Sequence, residues 1–108
     1  MSNAIKKLIN LYSKKFIELD NQYLDISSKG ESTASILNDA SSTLHKFVSW
    51  YGVPKPSLIG EQASISAFHL LLLLDHDRRF QELYLGLMYQ SKEFPESMLL
   101  ILKKKVGL

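Results

Sequence analysis

Apolar residues recur every three or four positions along most of this chain, which is the spacing of one face of an α-helix. The first stripe fades at a cluster of serines that is followed by Gly30, so the pattern predicts a first helix that ends near residues 26–30. This stripe comprises Ile5, Leu8, Ile9, Tyr12, Phe16, Leu19 and Tyr23.

A second helix is predicted to begin at Ser32 or Thr33, because both are favourable N-cap residues. Gly52 stands where a C-cap glycine is expected, and Pro54 and Pro56 are expected to hold the following chain extended. The apolar stripe of this helix comprises Ile36, Leu37, Ala40, Leu44, Phe47, Val48 and Tyr51.

A third helix is predicted from about Ser57 or Glu61 to Leu74, and its last residues, 70–74, are all leucine. A helix that is apolar nearly all round is typically buried, so this one should be central. Asp75 or Asp77 then caps a fourth helix, whose apolar face comprises Phe80, Leu83, Tyr84, Leu87 and Met88.

After a short loop at residues 90–93, Pro95 suits the first turn of a fifth helix, and three lysines at 103–105 complement the dipole of its last turn. Its inward residues are Met98, Leu99, Leu102 and Val106. Residues 1–108 are therefore predicted to form one all-α domain, a compact irregular bundle of about five helices around the helix at 63–74.

Composition narrows the class of protein. The chain of 108 residues has a net charge of +2, which is too small to indicate nucleic-acid binding, and five leucines in a row are too few for a membrane span. There is no cysteine, which excludes disulfides and thiolate metal sites and favours a reducing cytoplasm. We expect a cytoplasmic protein that binds neither nucleic acid nor membrane.

Polar residues offer little support for catalysis. Asp75, His76 and Asp77 are interpreted as a helix cap, and His69 as a histidine at the core edge with a backbone partner. His69 and His76 lie two turns apart, about 10.5 Å, which is awkward for one ion, so no metal and no cofactor are expected. His45 is expected to be exposed.

No nucleophile elbow, His-Glu-x-x-His motif or glycine-rich phosphate loop is present, so an enzyme is not expected. The alternative, a small enzyme or ligand-binding domain that uses His69, Asp75 and Asp77, stays open.

Aromatic residues near helix ends point to a binding role instead. Aromatic side chains with polar tips are enriched at protein interfaces. The candidate patch comprises Trp50, Tyr51, Tyr84 and Tyr89, with Arg78 and Arg79 beside them. Simple packing at the rim of the core is the competing interpretation.

The middle and end of the chain contain in order Gly52, Pro54, Gly60, Asp75, Phe80 and Gln81. This order resembles a bacterial family of small helical domains of unknown function, in which a Gly-Trp-Pro loop precedes helices that carry Gln-His-Ala-Asp and Phe-Gln. Here Val53 replaces the tryptophan, Leu72 and Leu73 replace Gln-His, and the sequence stops before the family's C-terminal tail.

These observations favour a small non-catalytic protein-binding domain. Its concrete form is a bacterial immunity protein that neutralises a toxin domain by occlusion, since the chain is small, lacks a catalytic constellation and has lost the family's polar pair. A self-associating structural subunit is a third alternative, so the oligomeric state is left open.

Overall fold

A computed structural model describes residues 2–108, and these form an all-α bundle without a strand, as the periodicity predicts. Six helices are present where about five were predicted, because the segment between the second and central helices forms a short helix of its own. The helices are α1 (Asn3–Ser28), α2 (Ala34–Tyr51), α3 (Pro56–Ile59), α4 (Glu61–Leu72), α5 (Arg78–Ser91) and α6 (Glu96–Lys105).

Helices α1 and α2 pack as an antiparallel pair through aromatic rings. Tyr12 lies with its ring centroid 5.3 Å from Phe47 and 6.2 Å from Tyr51, and Phe16 lies 5.7 Å from Phe47. Farther along, Lys15 of α1 pairs with Asp39, near the start of α2. Residue numbers therefore rise along α1 where those of the facing residues of α2 fall, so the two helices are antiparallel. Gly52 ends α2 with a φ of 80°, which confirms the predicted C-cap glycine.

The chain is extended at Lys55, as the prolines predict, and the short helix α3 begins at Pro56. Pro56 occupies its first position, where a missing N–H costs nothing, and Glu93 accepts hydrogen bonds from the Ser57 backbone N–H and hydroxyl. These bonds lower the pKa of the Glu93 carboxyl. Gly60, with a φ of 88°, then separates α3 from α4.

Helix α4 is central, as predicted, but it ends at Leu72 rather than Leu74. Leu73 is its C-cap and Leu74 lies in the following turn, so the expectation of one helix through all five leucines is wrong at its end. Leu70, Leu71 and Leu74 are fully buried, whereas Leu72 and Leu73 are half-buried. Two small residues one turn apart on this helix, Ala63 and Ala67, are also buried.

Helices α5 and α6 form a hairpin that packs against the end of α4. The buried Gln81 of α5 donates a hydrogen bond from Nε2 to the Leu71 carbonyl at 3.0 Å, which ties the hairpin to the end of α4. Leu83 was predicted to face inward but is exposed, because the buried face follows Phe80, Tyr84 and Met88. Pro95 precedes α6 rather than lying in its first turn.

Tyr84 is fully buried, and its hydroxyl has no hydrogen-bond partner in residues 2–108. We expect Tyr84→Phe to raise the free energy of unfolding by about 1 kcal/mol at pH 7, since an unsatisfied buried hydroxyl is costly. Burial also raises the pKa of the Tyr84 phenol, whereas the unfolded chain releases this proton near pH 10. Wild-type stability should therefore fall above pH 10, relative to Tyr84→Phe, by about 1.4 kcal/mol per pH unit.

Urea denaturation of both proteins at pH 7 and pH 11 measures these differences. Tyr89→Phe is the matched control, because the Tyr89 side chain is exposed, and it should change stability little at either pH. Equal stability of wild type and Tyr84→Phe at both pH values would contradict the account of this buried hydroxyl.

Candidate protein-binding groove

The first turns of α1 carry apolar side chains that do not enter the core. Ile9, Phe16 and Leu19 are buried, whereas Ile5 is 42% and Leu8 45% exposed. The predicted stripe is therefore divided: its later part packs inside the bundle and its first part lies at the surface.

The exposed part of α1 faces the end of α2, and an open groove lies between them. Its apolar section has a volume of about 640 Å³ and is lined by Ile5, Leu8, Tyr12, Trp50 and Tyr51. Trp50 is 76% exposed although it is the largest side-chain type. Tyr51 is half-buried and packs its ring against Phe47 with centroids 5.0 Å apart, so it forms a fixed wall.

A second section continues the groove toward the start of α2. It has a volume of about 510 Å³, and it shares Leu8 and Tyr12 with the apolar section. Its other lining residues are Leu11, Lys14, Lys15, Glu18, Thr43 and Lys46. We call the two sections together the α1–α2 groove.

The α1–α2 groove thus has an apolar end and a basic end. Leu11, which is 61% exposed, stands in the second section beside the lysines. Lys15 is paired with Asp39 at 3.0 Å, whereas Lys14 and Lys46 have no ion-pair partner in the described part of the chain. A concave apolar surface with free charges at its rim suits binding of a partner.

Only part of the patch predicted from the sequence comes together here. Trp50 and Tyr51 line the groove, but Tyr84 is buried in the core and offers no surface. Arg78 pairs with Glu82 on the exposed side of α5, and Arg79 lies beside His45. Tyr89 is exposed near the other end of α5, about 15 Å along the helix from Arg79. The six predicted residues therefore do not form one surface.

The polar residues of the alternative site are held in three separate pairs. His69 binds the Asp20 carboxylate of α1, so the expected backbone partner is wrong. Asp77 lies at the N-cap of α5, but its carboxylate bonds His45 Nε2 at 2.6 Å rather than a backbone N–H. Asp75 pairs with Lys105.

The His45 ring has a second contact that fixes it in place. It stacks on Phe80 with centroids 3.7 Å apart and planes at 20°, which holds the exposed imidazole against α5. Since His69, Asp75 and Asp77 each have a partner on a different helix, they do not converge on one point. Within residues 2–108 no cluster of three or more histidine and carboxylate side chains is arranged to hold a metal ion.

No helix in residues 2–108 has the length and apolar character that crossing a bilayer requires. Comparison with protein families, with curated protein sequences and with solved structures finds no match to this chain. The resemblance to a family of small helical domains therefore stays a prediction, and the functional conclusion comes from the geometry of the groove.

The sequence patterns did not identify Ile5, Leu8 and Leu11 as surface residues of a groove. Ile5 and Leu8 fit the stripe of α1, so pattern alone assigns them to the core. Leu11 lies off that stripe, as Trp50 lies off the stripe of α2. Large apolar residues outside the stripes of two consecutive helices are the signal that could have indicated this surface.

Proposed function

We propose that this chain is a non-catalytic protein-binding domain that holds apolar side chains of a partner protein in the α1–α2 groove. The observation that carries the proposal is the exposure of Ile5, Leu8, Leu11 and Trp50 around one continuous groove. Exposed apolar surface of this kind is unfavourable in water unless a partner covers it.

The energetics of protein interfaces support Trp50 as the main anchor. Tryptophan is enriched among residues whose truncation weakens binding most, and such anchors lie in pockets whose neighbours exclude water. The rigid wall formed by Tyr12 and Tyr51 beside Trp50 provides that setting. Little side-chain entropy is lost there on binding, because the two tyrosine rings are already packed against each other.

A toxin domain that is neutralised by occlusion is the partner class we propose, as the sequence analysis suggests. Occlusion needs no chemistry from this chain, only a surface that covers the toxin's site. The alternative of a ligand site at His69, Asp75 and Asp77 gains no support from their separate pairing.

Photo-crosslinking tests where the partner binds. A benzophenone amino acid in place of Leu11, an exposed groove residue other than the proposed anchor, should crosslink one partner protein in the native host, whereas the same group at the exposed Gln90 of α5 should not. The crosslink should disappear when purified wild-type protein competes. Equal crosslinking from both positions would place the interface elsewhere, and a crosslink to a second copy would replace the partner protein by self-association.

Binding titrations with the purified partner then test the anchor. Trp50→Ala should weaken binding about 30-fold or more, equivalent to about 2 kcal/mol, with little change in melting temperature because the side chain is exposed. Tyr89→Ala is the matched control: it removes another exposed aromatic side chain, outside the groove, and should leave affinity unchanged. A Trp50→Ala protein that melts earlier but binds normally would show that Trp50 is structural.

A further inference from the structure

We infer that the partner segment in the α1–α2 groove is an amphipathic α-helix that carries carboxylates on the part that meets Lys14 and Lys46. This inference rests on the proposed function and names the chemistry of the partner at the same site. It follows from the length of the groove, from its two-ended character and from the sign of its free charges.

The dimensions of the groove suit a helix. It extends along α1 from Ile5 to Glu18, about 20 Å at the helical rise per residue. Its two walls are the antiparallel helices α1 and α2, and both of its sections are open to solvent. A partner helix of three to four turns can lie in it as a third helix, with its apolar side chains at positions i, i+3, i+4 and i+7 directed into the groove.

The charges of the groove set the chemistry of the partner's polar flank. Lys14 comes from α1 and Lys46 from α2, so unpaired cations stand on both walls of the basic section. Glu18 is the one carboxylate among the lining residues of the described chain. Carboxylates on the partner would pair with these lysines, whereas partner lysines would meet like charge.

A second copy of this chain fits the groove less well. Another exposed apolar patch is formed by Leu100 and Ile101 of α6 with Leu108 beyond the end of that helix, but it carries Lys103 and Lys104. That patch has the same sign of charge as the basic section of the groove. Charge complementarity thus favours an acidic partner over head-to-tail association of identical chains.

Two synthetic peptides of 18 residues test the inference. Both have the same leucine face, and their polar face carries glutamate in one and lysine in the other. Trp50 is the chain's single tryptophan and lies in the groove, so its fluorescence reports binding directly. The glutamate peptide should shift Trp50 emission to shorter wavelength and bind at least about tenfold more tightly than the lysine peptide.

Two double variants separate groove charge from overall charge. In the double variant Lys14→Glu with Lys46→Glu, the ratio of the affinity for the glutamate peptide to that for the lysine peptide should fall by about tenfold or more. Lys103→Glu with Lys104→Glu changes the net charge by the same amount on α6, outside the groove, and should retain the preference. Loss of preference in both double variants would mean that the attraction is non-specific, which overturns the inference.

Further outcomes distinguish this inference from the proposed function. Equal binding of both peptides, abolished by Leu8→Gln, would refute the acidic preference and leave the groove as a binding site. If neither peptide shifts Trp50 emission, the inference that the partner segment is a helix is wrong. The proposed function is tested separately, by the crosslinking experiment. An emission shift with vesicles of phosphatidylserine and phosphatidylcholine, but not with the glutamate peptide, would replace the helix by an anionic lipid surface.

Discussion

Replacement of Leu71 with aspartate should leave the chain unfolded in water at pH 7. Leu71 is fully buried in α4 at the centre of the bundle, so the carboxylate would have no partner and no water there. A charge left unpaired in a core, together with the lost leucine contacts, costs several kcal/mol or more, which is comparable to the whole stability of a small domain, about 5 to 15 kcal/mol. Far-ultraviolet circular dichroism should show the loss of helix directly.

The matched control for this prediction lies on the same helix. Ile65 is 53% exposed, so Ile65→Asp makes a similar chemical change where water still solvates the carboxylate. We expect Ile65→Asp to cost about 1 kcal/mol or less. If Leu71→Asp melts like wild type, the central position of α4 is wrong.

The substitution Gln81→Glu should lower the free energy of unfolding by about 3 kcal/mol or more at pH 7. The Gln81 side chain is buried and donates to the Leu71 carbonyl, and a carboxylate in its place cannot donate and would face that oxygen with a negative charge. Urea denaturation at pH 7 measures the loss. Gln90→Glu makes the same substitution at an exposed position of α5 and should change stability little.

The same variant has a predictable pH dependence. Burial would raise the pKa of the introduced carboxyl above its value of about 4 in the unfolded chain. The loss of stability that comes from ionisation is therefore present above about pH 4, where this carboxyl is ionised in the unfolded chain, and disappears at lower pH. The stability difference from wild type should therefore narrow as the pH falls through that range. A difference that is constant from pH 7 to pH 3 would contradict a buried hydrogen bond from Gln81.

The sequence predicted those features of the fold that depend on local signals. Helical periodicity identified α1, α2, α4, α5 and α6, and Gly52 identified the end of α2, because spacing and backbone conformation are properties of neighbouring residues. The end of α4 was missed, since Leu73 and Leu74 continue an apolar run that has helical propensity. Only packing against the other helices decides that the backbone turns there.

The groove was half predictable for a related reason. Trp50 stands beside the core stripe of α2, and this local pattern already indicates a surface position. The exposure of Ile5 and Leu8 depends on where the other helices end in space. Tertiary packing decides this, and the residues next to Ile5 and Leu8 in the sequence do not indicate it. The prediction of a surface position for Tyr84 was wrong. Its polar hydroxyl suggested an interface, but Tyr84 lies on the buried face of α5 with Phe80 and Met88.

The order of the helices along the chain decides when the core can close. Helix α4 is translated before the α5–α6 hairpin that packs against its end. At about 5 to 20 residues per second, translation from Leu74 to the buried Val106 takes about 2 to 6 s. Native burial of the α4 leucines therefore has to wait until that interval has passed.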